Sequence, residues 1–173
     1  MKKNDRVQKQ AIQTIDKLRA IIRHIKNVQD NCILLGESLI NNGEIELGKQ
    51  LIAHGFIHDA SKFNGIEFDF IDPVVPKEDI VKLKFKLAIY QHQKTNPHHV
   101  EFWNNGIKEM PSVYLAELVC DFKSRSEEFG TDIREYIKNI ALPKWKISKE
   151  DLVYKEVIRF VDILCNKPFT EIK

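Results

Sequence analysis

The chain has 173 residues, 43% of them hydrophobic and 30% charged, with a formal net charge of +2. These values suit one soluble globular domain with its own core and exclude a disordered or collagen-like chain. The near balance of charge gives no electrostatic case for a dedicated nucleic-acid binder. No apolar run approaches the roughly 18 residues of a membrane span, and the start is not of signal-peptide type, so a cytoplasmic protein is expected.

Val7, Ala11, Ile15, Leu18, Ile22, Ile25, Val28, Cys32, Leu35 and Leu39 recur every three or four residues, the period of one buried helical stripe. A long first helix over about residues 5–40 follows, and Asn41-Asn42-Gly43 is its stop. A second helix is predicted over about 44–55 or on into the His58-Asp59 segment. Residues 58–76 read as irregular, because Asp72-Pro73 and Val75-Pro76 oppose a continuous helix there.

Pro76 suits the start of a helix carrying Ile80, Val81, Leu83, Leu87 and Ile89 to about Gln93, which Asn96-Pro97 ends. Another helix begins near Pro111-Ser112 and carries Val113, Leu115, Leu118, Val119 and Phe122. A short one over 132–140 is broken by Pro143, and Ser148-Lys149-Glu150-Asp151 resembles an N-cap for a last helix through Leu164. No segment alternates like a strand, so the expected fold is all-α, a bundle of five to seven helices in one domain over 1–173. Cys32, Cys120 and Cys165 lack metal-site spacing and read as free, mostly buried thiols without a chemical role.

All six histidines fall between residues 24 and 99. The sharpest element is His58-Asp59-Ala60-Ser61-Lys62, where an adjacent imidazole and carboxylate can aim at one divalent cation. By itself the dipeptide is weak, since a helix-end histidine beside a capping aspartate looks the same. His24 on the first helix and Asp121 after the apolar Leu118-Val119-Cys120 could complete a ligand set on helices of one bundle.

The order His24, His58-Asp59 with Lys62, and Asp121 resembles the HD superfamily of metal-dependent phosphohydrolases. More narrowly, four stretches resemble an uncharacterised bacterial and phage family with HD-like signatures. They are His24-Ile25-Lys26-Asn27-Val28, His58-Asp59-Ala60-Ser61-Lys62-Phe63 with Glu67-Phe68, Asn96-Pro97-His98-His99-Val100-Glu101-Phe102-Trp103, and Leu115 to Phe122 with Ser126. The resemblance implies an HD-like bundle in which His24, His58, Asp59 and Asp121 bind one divalent ion (manganese, magnesium, iron, nickel or zinc) and Lys62 lies near a substrate phosphate. Gln93 follows His92 where close relatives would carry a second histidine, so one ion is expected and a second is the alternative.

Asp59, Lys62 and Glu67 are the candidate catalytic residues, Glu67 as well as Glu117 being able to orient a ligating histidine or take a proton from water. His92, His98 and His99 are candidate substrate contacts with Lys62. Pro97 could turn one ring of the His98-His99 pair inward and the other to solvent. Lys123 and Arg125 are further candidates for phosphate, though their spacing equally fits a solvated helix face. His54 is left out of the metal set.

The expected activity is hydrolysis of a phosphate ester, a nucleotide or oligonucleotide by the resemblance, through metal-activated water. The rivals are a nucleotide-binding module without catalysis and a helical interaction protein that pairs through the long first helix, which would also serve a homodimer.

Overall fold

The structure, a computed structural model, describes residues 2–71 and 77–166, with side chains for Gln8 and from Ala11 onward. Its helices are α1 (Lys2–Asn41), α2 (Ile45–Ile57), α3 (Gly65–Phe70), α4 (Asp79–Thr95), α5 (Ser112–Phe129), α6 and α7 (Leu152–Cys165). α6 is composite: Ile133–Tyr136, a π turn over Ile137–Ala141, then Leu142–Trp145. Single 3-10 turns lie at Ala60–Phe63, Val100–Phe102 and Gly106–Glu109. No strand occurs among the described residues, so the fold is the expected all-α bundle.

α1 packs against α2, α5 and α7, and α5 also packs against α2 and α7. Their shared core includes Val28, Leu35, Leu39, Leu51, Leu115, Val119, Val157 and Phe160, all fully buried. The α1–α2 hairpin closes through Gly43 at φ +89°, whose N–H donates to the Ile40 carbonyl at 3.0 Å. Two glycines let α2 approach α1 closely. A Cβ on Gly48 would stand 2.4 Å from the Gly36 carbonyl oxygen, and one on Gly55 would stand 2.7 Å from Cys32 Cβ.

The apolar stripe of α1 is buried over only half its length. Ile15 and Ile22 are 47% and 56% exposed and Ala11 is exposed, whereas Cys32, Leu35 and Leu39 are buried. The cause is length. The 13 residues of α2 cover about 20 Å, against about 60 Å for the 40 residues of α1. The single buried stripe expected from periodicity is therefore corrected: apolar spacing gives a face, not the extent of its cover.

Two expected breaks are helical. Within residues 58–76, the 3-10 turn Ala60–Phe63 and the short helix α3 replace irregular chain. Asp72, Pro73, Val75 and Pro76 lie outside the described residues, and α4 begins at Asp79. Pro143 does not end the helix before it. It occupies the first turn of the last α segment of α6, just after the π turn, where a wider hydrogen-bond register precedes the residue that lacks an N–H. At the last helix Asp151, not Ser148, is the N-cap, and its Oδ2 accepts from the Ser148 N–H at 2.8 Å.

Candidate metal centre

α5 carries a buried polar row on the face it turns to α1 and α2. Glu117, Asp121 and Ser124 follow at helical spacing, all buried, and Glu128 continues the row. Opposite them His24 and Asn31 come from α1, seven residues apart. Asn31 Nδ2 donates to Ser124 Oγ at 3.0 Å and to Glu127 Oε2 at 3.1 Å, fixing the two helices in register.

The His-Asp pair enters at the end of α2. His58 is the C-cap, and Asp59 takes the left-handed conformation (φ 55°, ψ 21°), which aspartate tolerates better than most side chains. That reversal sets the Asp59 carboxylate in the middle of the cluster. Its Oδ1 lies 3.2 Å from His92 Nε2 and 3.4 Å from His98 Nε2, and its Oδ2 lies 3.7 Å from His24 Nε2 and 3.4 Å from His58 Nε2. Asp59 thus faces two groups of ligand atoms, one through each oxygen.

The first group is His24, His58 and Asp121; the second is Asp59, His92, His98 and His99. Within each, the candidate atoms lie within 4.8 Å of one another, close to the spacing that ligands about 2.1 Å from a shared ion adopt. Asp121 Oδ1 is 3.1 Å from His24 Nε2, and His99 Nε2 is 2.9 Å from His92 Nε2.

Each of the four best-buried imidazoles donates its Nδ1 proton outward to a carboxylate. His24 donates to Glu128 Oε1 at 2.9 Å and His92 to Glu67 Oε2 at 2.8 Å. Glu117 Oε1 takes His58 at 2.9 Å and pairs with His98 Nδ1 at 3.2 Å. An ionised carboxylate only accepts, so the Nδ1 position carries the proton and Nε2 is the atom turned to the centre. There, His24, His58 and His98 Nε2, with Asp59 Oδ1 and Asp121 Oδ1, are buried without a hydrogen-bond partner. Buried polar atoms left in that state cost about 1–3 kcal/mol each. Cations held by the two groups would satisfy these atoms, so the residues present fit a divalent metal.

A third grouping, His58, His98 and Glu117, needs no ion, because those Nδ1 and carboxylate atoms already satisfy one another.

Charge in the cluster follows the same layout. Burial pulls down the His24 and His98 imidazolium forms, but the facing carboxylates outweigh it: Asp121 and Asp59 raise His24 to about 9, and Asp59 with Glu117 raises His98 to about 10. His58 is raised against its burial by Asp59 and Glu117. His99 goes the other way, pushed down to about 3 by burial and by the neighbouring His98 and His92. Despite burial, the histidines around Asp59, Asp121 and Glu117 hold these carboxyls below the usual range.

The four residues expected to share an ion, His24, His58, Asp59 and Asp121, therefore do come together. So do His92, His98 and His99, expected at the substrate. One expectation for the pair is corrected: both rings turn to the cluster, because Trp103 Nε1 donates to the Pro97 carbonyl at 2.8 Å and Asn96 Nδ2 donates to the His92 carbonyl at 2.8 Å, holding the loop inward. Lys62 is buried and ion-paired to Asp59 Oδ2.

Glu67 is almost wholly buried and accepts from Ser61 Oγ at 2.7 Å as well as from His92. Of the two roles the sequence allows it, the geometry supports the orienting one. Lys123 and Arg125 stand outside the centre, paired with Glu127 at 2.6 Å and Glu128 at 2.8 Å. His54, left out of the metal set, donates to Glu117 Oε2 at 3.0 Å. Sequence reasoning missed Glu128 and Asn96. Glu128 lies seven residues after Asp121, two turns along the same face, and that spacing could have found it.

Helices surrounding a buried nest of imidazoles and carboxylates define an all-helical protein with a candidate metal centre. The chain belongs to DUF5662, a family of unknown function, whose model matches residues 13–161 and so takes in the whole cluster. Neither the curated proteins nor the solved structures contain a match. Among the described residues no helix is long and apolar enough to cross a membrane.

Proposed function

We propose that this protein is a metal-dependent phosphohydrolase whose cluster would hold two divalent ions, with one Asp59 oxygen turned to each position. The first position would use His24, His58 and Asp121, and the second His92, His98 and His99. The observation that carries the reading is the set of inward Nε2 atoms of His24, His58 and His98, each on an imidazole whose Nδ1 faces a carboxylate, around Asp59 Oδ1 and Asp121 Oδ1, which have no hydrogen-bond partner. A structural nest of histidines would need donors and acceptors matched at the centre; His92 and His99 Nε2 do pair at 2.9 Å, but the Nε2 atoms of His24, His58 and His98 stand close to the carboxylates without aligning as hydrogen bonds.

Bound divalent ions would supply Lewis acidity toward a phosphoryl oxygen and a water with its pKa lowered toward neutrality. The protein's own part is orientation and charge. Glu128, Glu117 and Glu67 fix the rings, and burial of the cluster excludes bulk solvent. Lys62, beside Asp59 at the edge of the cluster, is placed to neutralise charge on a phosphoryl oxygen. A nucleotide as substrate follows from the HD-type resemblance of His24, His58-Asp59 and Asp121.

The test is elemental analysis of freshly purified protein, followed by a hydrolysis screen of phosphate esters with the identified metal restored. Wild type should hold up to two ions and cleave a phosphate ester; folded His58→Ala and Asp59→Ala should lose both properties. Full metal content and activity in those variants would sink the assignment. Ions bound without any cleavage would turn the reading to a non-catalytic nucleotide-binding module.

A further inference from the structure

Glu128 and Glu67 each hold one histidine of the cluster, on opposite sides of Asp59. Glu117 differs. Its Oε1 faces His58 Nδ1 at 2.9 Å and His98 Nδ1 at 3.2 Å, so one buried oxygen serves a ring from each ligand group. The two rings stand 4.3 Å apart between centroids. His58 ends α2 and His98 follows α4, so the α5 carboxylate is also where two separate parts of the chain are fixed to each other.

We infer that Glu117 is a positioning residue shared by both ion positions, so that the ion in one position preorganises a ligand of the other. This inference rests on the two-ion reading and goes beyond it. An ion drawn to His58 Nε2 strengthens the Nδ1–H bond to Glu117 and fixes the oxygen on which His98 is aligned. Carboxylates behind metal-bound histidines typically alter affinity by roughly 10–100-fold when removed.

The test isolates each position. His92→Ala leaves only the first position, and His24→Ala only the second. The manganese affinity of each single-ion protein is measured by calorimetric titration with Glu117→Gln, Glu128→Gln or Glu67→Gln added. Glu117→Gln should weaken both proteins by roughly 10–100-fold. Glu128→Gln should weaken only the His92→Ala protein, and Glu67→Gln only the His24→Ala protein.

A Glu117→Gln effect confined to one background, or absent from both, with the helical circular-dichroism spectrum kept, overturns the shared role while leaving the two-ion reading intact. If wild type binds no manganese, both fall. Should Glu117→Gln not fold, the His92→Ala protein still decides: one equivalent of zinc, filling the first position, should shift the His98 Nδ1 proton resonance, and an unmoved resonance rejects the coupling.

Discussion

Arg125 reaches Glu128 at 2.8 Å through Oε2, while Oε1 of that carboxylate takes the Nδ1 proton of His24. The guanidinium thus stands behind the residue that orients a candidate ligand, two steps from the centre. Because the pair is partly exposed, its worth is at most about 1 kcal/mol. Arg125→Ala should therefore loosen the first ion by no more than about fivefold and leave KM for a phosphate ester unchanged. A large rise in KM would instead show Arg125 touching substrate.

The metal-free protein should be most stable near pH 6.5. His24 and His98 are raised from an ordinary 6.5 to about 9 and about 10, so their contribution is complete below 6.5 and is lost as pH climbs through those values. His99, pushed down to about 3, contributes in the opposite sense: its share is present above 6.5 and is lost as pH falls toward 3. Thermal melts with chelator should show Tm falling between about pH 6.5 and 10. With manganese present that fall should vanish, since an ion requires the deprotonated imidazoles and replaces the proton.

Gly48→Ala should cost about 1–3 kcal/mol, the usual range for forcing extra volume into a packed site. The added methyl would meet the Gly36 carbonyl at 2.4 Å, and backbone cannot step aside as a side-chain tip can. Urea denaturation measures the loss. An unchanged midpoint would mean that α1 and α2 are farther apart than described.

Along α1, truncation to alanine should have two magnitudes. Leu35 is fully buried and Ile15 is 47% exposed. Leu35→Ala is expected to destabilise by about 2–5 kcal/mol, and Ile15→Ala to stay within about 0.5 kcal/mol. A comparable loss at Ile15 would reveal cover over that half of the helix, as a dimer through α1 would provide, and would make the melting temperature depend on protein concentration.

The helices were legible because their apolar spacing is local. α1, α4 and α7 end within a few residues of their expected limits, α5 starts where expected, and Gly43 and Asn96 stop helices where turn chemistry says they should. His24, His58, Asp59 and Asp121 were legible as a set through their order along the chain. What stayed hidden is three-dimensional. Nothing around His92 or His98 tells which way a ring turns after Asn96-Pro97, since that depends on hydrogen bonds from Asn96 and Trp103 to backbone carbonyls. The split roles of carboxylates were legible in part: Asp121 was expected as a ligand and Glu117 as able to orient a ligating histidine, but that Glu117 stands behind two rings was not. Pro143 misled because a proline rule for α-helices does not anticipate a π turn ahead of it.

Position 59 asks for incompatible things at once. A glycine would relax the left-handed backbone but bring no oxygen, a glutamate would bring two oxygens on too long a stem, and an asparagine would keep shape and backbone while offering a single acceptor. With one oxygen turned to each half of the nest, none of these substitutes can stand in, so Asp59 is the place where the molecule tolerates the least change.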